Sequence, residues 1–176
     1  MRFATSTGSF SSRYIQHGSD HSSFMNPHFI SKRFAHVLGL AGLLPFVGLA
    51  LACWVVHPDW LGSFIKGQLA YGIAILSFLG GIHWGAVMAS QGLSAGQTNR
   101  ALLWSVVPSL IAWFSTMMGG YGFAMLMIGF VAAYQVDKRL FAWYGMPQWF
   151  LPLRLLLTCV VVAMLALTVV AANIRG

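Results

Sequence analysis

Residues 101–136 read ALLWSVVPSLIAWFSTMMGGYGFAMLMIGFVAAYQV and hold no Asp, Glu, Lys or Arg. As a single helix these 36 residues would reach about 54 Å at about 1.5 Å per residue, nearly twice the roughly 30 Å hydrocarbon core of a bilayer. The run therefore predicts two membrane spans with a reversal between them. Gly119, Gly120 and Gly122 form its glycine cluster, which places a hairpin between helices at about 101–118 and 121–137.

Outward from this hairpin the same reading repeats. The apolar stretch 35–56 stops at the turn His57-Pro58-Asp59-Trp60. Between Lys66 and Arg100 there is no formal charge, and the stretch divides into an apolar 68–89 and a loop at 90–99 rich in Ser, Gly, Gln, Thr and Asn. After Gly145-Met146-Pro147 comes another apolar stretch, 150–171. The fold class expected is an all-α membrane protein with five transmembrane helices in a bundle over 35–172. Composition agrees: 58% of residues are hydrophobic and 7% are charged, against about 25% charged in a soluble domain. Such a chain cannot present a water-soluble surface.

The acidic residues are Asp20, Asp59 and Asp137, with no glutamate, which excludes paired-carboxylate catalysis and acidic metal cages. Cys53 and Cys159 lie inside apolar runs at no ligand or redox spacing and read as small core residues. No phosphate-binding loop, nucleophile elbow or zinc-protease motif occurs. A haem held by His36 and His83 fails on depth, since the two histidines differ by roughly 7 Å along the bilayer normal. No catalytic residue, metal or cofactor is expected.

Lys and Arg collect on the cytoplasmic side of membrane proteins. With the amino terminus inside, the inner segments hold Arg2, Arg13, Lys32, Arg33, Arg100, Lys138, Arg139 and Arg154, and the outer segments hold Lys66 and Arg175. Five spans then put the carboxyl terminus outside. The net charge of +7 follows from topology and anionic lipid, with no nucleic-acid partner required. Residues 1–34 are basic and rich in Ser, Thr, Gly and His. They read as a disordered basic tail, as a mitochondrial targeting segment, or in part as sequence upstream of a start at Met25.

Within the bundle, Ser77, Gly81, Gly85 and Ala89 recur every four residues and predict a small-residue seam for helix packing. Pro45 and Pro108 predict helix kinks whose freed carbonyls a neighbour can satisfy, with Ser105 and Ser109 as nearby inward-facing donors. His83 descends one helix, Asp137 closes another and Arg154 opens a third, all in the inner third of the membrane. An ionisable group facing hydrocarbon is costly, so these three are expected to form a polar cluster with Trp84 and Trp149 nearby. The opposing expectation is that Asp137 and Arg154 reach the headgroups separately while His83 bonds a backbone carbonyl.

Several strings carry a resemblance: 40–46 (LAGLLPF), 71–85 (YGIAILSFLGGIHWG), 104–113 (WSVVPSLIAW), 147–150 (PQWF) and 153–158 (LRLLLT). They resemble a bacterial family of small integral membrane proteins of unknown function, itself similar to the animal mitochondrial transmembrane protein sixty-nine. The resemblance covers about 36–160, implies no activity, and marks His83, Pro108, Asp137, Trp149 and Arg154 as positions to test. Two functions compete: a non-catalytic scaffold or assembly factor, whose partners are the lipid bilayer and another membrane protein or a second copy, and a small-solute or ion transporter or channel with a cytoplasm-facing polar cavity. The expected location is a bacterial inner membrane, with the mitochondrial inner membrane as the alternative.

Overall fold

The computed structural model describes residues 32–90 and 92–175. The expected tail at 1–34 therefore lies almost wholly outside the described residues, and 32–34 belong to the first helix. Six helices follow in chain order: α1 (Lys32–Ala41), α2 (Leu44–Val55), α3 (Pro58–Ala89), α4 (Ala95–Ser115), α5 (Gly122–Tyr144) and α6 (Phe150–Arg175). There is no strand among the described residues. Four helical segments are long and apolar enough to cross a membrane: Arg33–Val55, which joins α1 and α2, Pro58–Ala89, Gly119–Tyr144 and Phe150–Arg175. Helix α4 begins with the polar run Gln97-Thr98-Asn99-Arg100 and falls short of that measure, yet it lies along α3 and α5 as a full member of the bundle.

The hairpin read from residues 101–136 is present, with α4 and α5 joined through residues 116–121 and a single 3-10 turn at Gly119–Tyr121. Gly119 has φ +54, a backbone conformation that glycine adopts without steric cost. The return is tight because Gly122 presses on the carbonyl of Ser115: a β-carbon there would stand 2.6 Å from the oxygen.

Helix boundaries shift from the expected ones for local reasons. Helix α3 starts ten residues earlier than the predicted 68, because His57 caps it, accepting from the Asp59 backbone N–H at 3.4 Å, and Pro58 occupies its first turn. Its 32 residues span about 48 Å, longer than a hydrocarbon core. A capping box of Ser94 and Gln97 starts α4 six residues before the predicted 101. Helix α5 runs on to Tyr144, where Gly145 at φ +63 ends it. Asp137 thus sits two turns inside α5 and does not close it.

Pro45 and Pro108 behave differently. Ahead of Pro45 the helix breaks at Gly42 and Leu43, and the freed carbonyl of Gly42 accepts from Tyr71 Oη of α3 at 2.9 Å. Helix α4 continues through Pro108, which is buried. Ser105 is buried and its hydroxyl is spent on Leu102 O at 2.5 Å, whereas Ser109 is only half-buried.

Neighbouring helices alternate in direction. At one end Arg175 of α6 donates to Cys53 O at 2.6 Å and Val56 O at 2.7 Å, closing the open carbonyl end of α2. Nearby Gln68 of α3 and Thr168 of α6 are both fully buried and joined at 2.7 Å. The opposite end holds Arg33, Arg100, Lys138 and Arg139, all exposed. Between the ends, Phe46, Leu76, Leu126, Phe130 and Leu165 form the core.

The predicted seam does not contact a neighbour. Gly81, Gly85 and Ala89 are exposed, Ser77 is half-buried, and nothing lies within 4 Å of a β-carbon built on Gly81 or Gly85. The packing face of α3 is one residue out of register, and runs through Gln68, Gly72, Leu76, Gly80 and His83. A β-carbon on Gly80 would run into the backbone carbonyl of Ser105 on α4, and one on Gly72 would stand 2.9 Å from Leu126. On α5, Gly129 does the same for α3, meeting Leu76 at 2.6 Å. Cys53 is a core residue as expected, but Cys159 faces outward.

Candidate functional site

Three helices each contribute one titratable side chain to a point near the basic end of the bundle. His83 comes from the last two turns of α3, Asp137 from α5 and Arg154 from the first turn and a half of α6. Their relative exposures are 1%, 2% and 5%, so all three are enclosed by the bundle, and Arg154 does not extend outward on its own. Arg154 Nε donates to Asp137 Oδ2 at 2.9 Å, and its Nη2 donates to the same oxygen. The other carboxylate oxygen, Oδ1, stands 2.9 Å from His83 Nε2.

The proton positions follow from this geometry. A carboxylate gripped by a guanidinium is ionised and can only accept. His83 Nε2 must therefore carry a proton and donate it. The other ring nitrogen, Nδ1, lies 3.5 Å from Tyr144 Oη, and a phenol can either donate to it or accept from it. In this arrangement Tyr144 contacts His83, His83 donates to Asp137, and Asp137 is balanced by Arg154. A carboxylate paired with a guanidinium and further hydrogen-bonded meets the condition under which ionised side chains persist away from water.

Apolar rings close the group off. His83 stacks on Phe141 at 5.6 Å between centroids and an interplanar angle of 29°, and Phe150 meets Phe141 edge-on at 5.2 Å. Trp149 lies one ring further out, 5.8 Å from Phe150 and 5.3 Å from His36. Trp84 does not belong to the cluster: it is 48% exposed, because one residue along α3 turns the side chain about 100° away from His83. Tyr144 and Phe141 were missed in the sequence. Their signal was spacing, since Phe141 stands four and Tyr144 seven residues after Asp137, all on one face of α5.

The chemistry available here is limited by how fully the groups use one another. Both oxygens of Asp137 and both nitrogens of His83 are engaged within the cluster. Among the described residues no group of three or more His, Cys, Asp or Glu side chains could hold a metal ion.

A sequence profile for the family described as "Protein of unknown function (DUF3429)" matches residues 31–170. Among curated proteins the chain is similar to Transmembrane protein 69 of Xenopus tropicalis, 36% identical over 131 residues that cover 71% of this chain and 49% of that protein. It is also similar to Transmembrane protein 69 of Mus musculus, 31% identical over 147 residues, covering 82% of this chain and 58% of the relative. The chain thus spans about half the length of the curated relatives it matches. No solved structure matches it. Both relatives are vertebrate transmembrane proteins, so the similarity carries residence in a membrane and not a bacterial source.

Proposed function

The chain belongs to the DUF3429 family, whose function is unknown, and from that premise and the geometry of the buried cluster we propose a non-catalytic membrane scaffold or assembly factor. One observation carries the reading: the titratable groups in the bundle are bonded to one another and buried at 1%, 2% and 5% exposure. Ionisable groups that serve cargo in a membrane commonly face a water-filled cavity or pathway. Here His83, Asp137 and Arg154 instead tie α3, α5 and α6 into one unit, and so supply a fixed surface for a partner in the bilayer.

The proposed setting is the inner membrane of a bacterium or of a mitochondrion. We place five crossings in it, with α4 as the least apolar. The end bearing Arg33, Arg100, Lys138 and Arg139 faces the cytoplasm or matrix, as the distribution of positive charge favours. The other functional reading, a small-solute or ion carrier, needs an open polar path, and the hydroxyl of Ser105 and the side chains of His83 and Asp137 that would line it are already engaged.

Deleting the gene and resolving the membrane complexes by native electrophoresis tests the proposal. At least one complex should fall in mass or abundance and be restored by the wild-type chain. Purified protein in liposomes that moves protons, ions or small solutes in a His83-dependent way would overturn it.

A further inference from the structure

Beside the polar cluster, and sharing Arg154 with it, lies a cavity of about 360 Å³ between α1, α3 and α6. Its wall is apolar apart from two side chains of α6, Arg154 and Thr158. Leu38 and Phe78 line it and are 63% and 65% exposed, so the cavity opens sideways on the outer surface of the bundle. The break between α1 and α2 helps to make the room, because Gly39 and Gly42 stand there without side chains.

Thr158 is 5% exposed, and its hydroxyl has no hydrogen-bond partner among the described residues. That is unusual for a helical threonine in an apolar setting, where the carbonyl four residues back normally accepts, as Met164 O does for Thr168 at 3.1 Å. An unpaired buried hydroxyl is costly. One turn earlier on the same face, Arg154 spends Nε and Nη2 on Asp137 and also lines the cavity, its Nη1 taking no part in that pair. The hydroxyl of Thr158 donates or accepts, whereas the guanidinium of Arg154 only donates, so the one kind of atom that could engage both is an acceptor. Arg154 is already balanced by Asp137, so a second anion would leave an uncompensated charge in hydrocarbon, whereas a neutral carbonyl would not.

We propose that this cavity binds a single apolar chain carrying a neutral carbonyl, which accepts from Thr158 and Arg154 while the chain lies against Leu79, Ile82 and Leu157. The volume is at the lower end of small-molecule sites, as a single chain requires. Two membrane sources offer this chemistry, the ester carbonyl of an acyl lipid and the ring carbonyl of a quinone with an apolar tail. The site shares Arg154 with the buried cluster but needs no assembly role for that cluster, and would stand if that role failed.

The test reconstitutes the full chain in phosphatidylcholine vesicles holding a trace of phosphatidylcholine with a diazirine on one acyl chain, illuminates them and maps the adducts by mass spectrometry. Adducts should concentrate on Leu79, Ile82 and Leu157. The matched ether lipid, which lacks the carbonyl, should label wild type about three- to tenfold less. Thr158→Val, nearly isosteric, should label poorly with either lipid. Ile75→Trp, which fills the cavity, should abolish the concentrated adducts, whereas Leu103→Trp on the outward face of α4 should not. Displacement of the label by decylbenzoquinone assigns the site to a quinone, and its failure to displace assigns it to the ester lipid; both support the site. Adducts spread evenly over outward residues such as Leu103 and Ile128, or equal labelling of wild type by ester and ether lipids, would overturn the proposal, and the second result needs no variant to fold.

Discussion

Arg154 of α6 grips Asp137 of α5 through two nitrogens on a single carboxylate oxygen, leaving the second oxygen for His83 of α3. Two adjacent helices are thus held by an ion pair and a third by a hydrogen bond, all out of reach of water. An ion pair in such a place adds less by its own attraction than its loss would remove, because each partner is what makes the other tolerable there.

Asp137→Asn should therefore lower stability in detergent by about 3 to 5 kcal/mol, since it leaves the Arg154 guanidinium buried without a counter-charge. Thermal unfolding followed by tryptophan fluorescence reads this directly. An unchanged midpoint would mean that Arg154 has another outlet.

Neighbouring glycines should respond in opposite ways. Gly80→Leu drives a side chain into the Ser105 carbonyl of α4 and should cost at least about 3 kcal/mol or prevent folding. Gly81→Leu points outward into open space and should leave the melting temperature within a few degrees of wild type. Equal losses for both would put the α3 packing face in the wrong register.

Tyr71→Phe should cost about 0.5 to 1.5 kcal/mol by taking the donor from Gly42 O, a carbonyl left free ahead of Pro45. Restoring a continuous helix should remove that dependence. In a Pro45→Ala background the same substitution should cost less, and an equal cost in both backgrounds would show that the proline is not what frees the carbonyl.

Topology is testable by accessibility. Cysteines introduced one at a time at Gly92 and Met146, in a chain with Cys53 and Cys159 replaced by serine, should react from one side of the membrane. Those at His57 and Met118 should react from the other. If Gly92 and Met118 were labelled from the same side, α4 would not cross.

Much of this arrangement was legible because charge is so scarce. With Asp137 the one acid near the inner boundary and Arg154 five residues into the last apolar run, counting alone brings the pair together. Helix ends are less legible because a helix continues past the last apolar residue wherever caps allow: the apolar reading stops at 137, yet Gly145 is what ends α5. The seam was misplaced for a different reason. Helix α3 offers two columns of small residues one position apart, Gly72 and Gly80 in one, Ser77, Gly81 and Gly85 in the other, and spacing cannot choose between them. Gln68 and His83 could have chosen, since both need burial and both fall in the first column. The orphan hydroxyl of Thr158 had no sequence signal, because whether a helical threonine finds its own carbonyl depends on its rotamer.

The most direct test of the clasp as a structural device is to replace it with apolar side chains of similar volume, His83→Phe, Asp137→Leu and Arg154→Met together, and to ask whether the chain still restores the native-gel complexes lost on gene deletion. Buried ionic groups exchanged for well-packed apolar ones commonly keep or raise stability. The triple variant should fold, melt no lower than Asp137→Asn, and restore those complexes to near wild-type levels. A variant that folds as well as wild type and restores nothing would contradict the structural role, and would mean that these three side chains act on something outside one another.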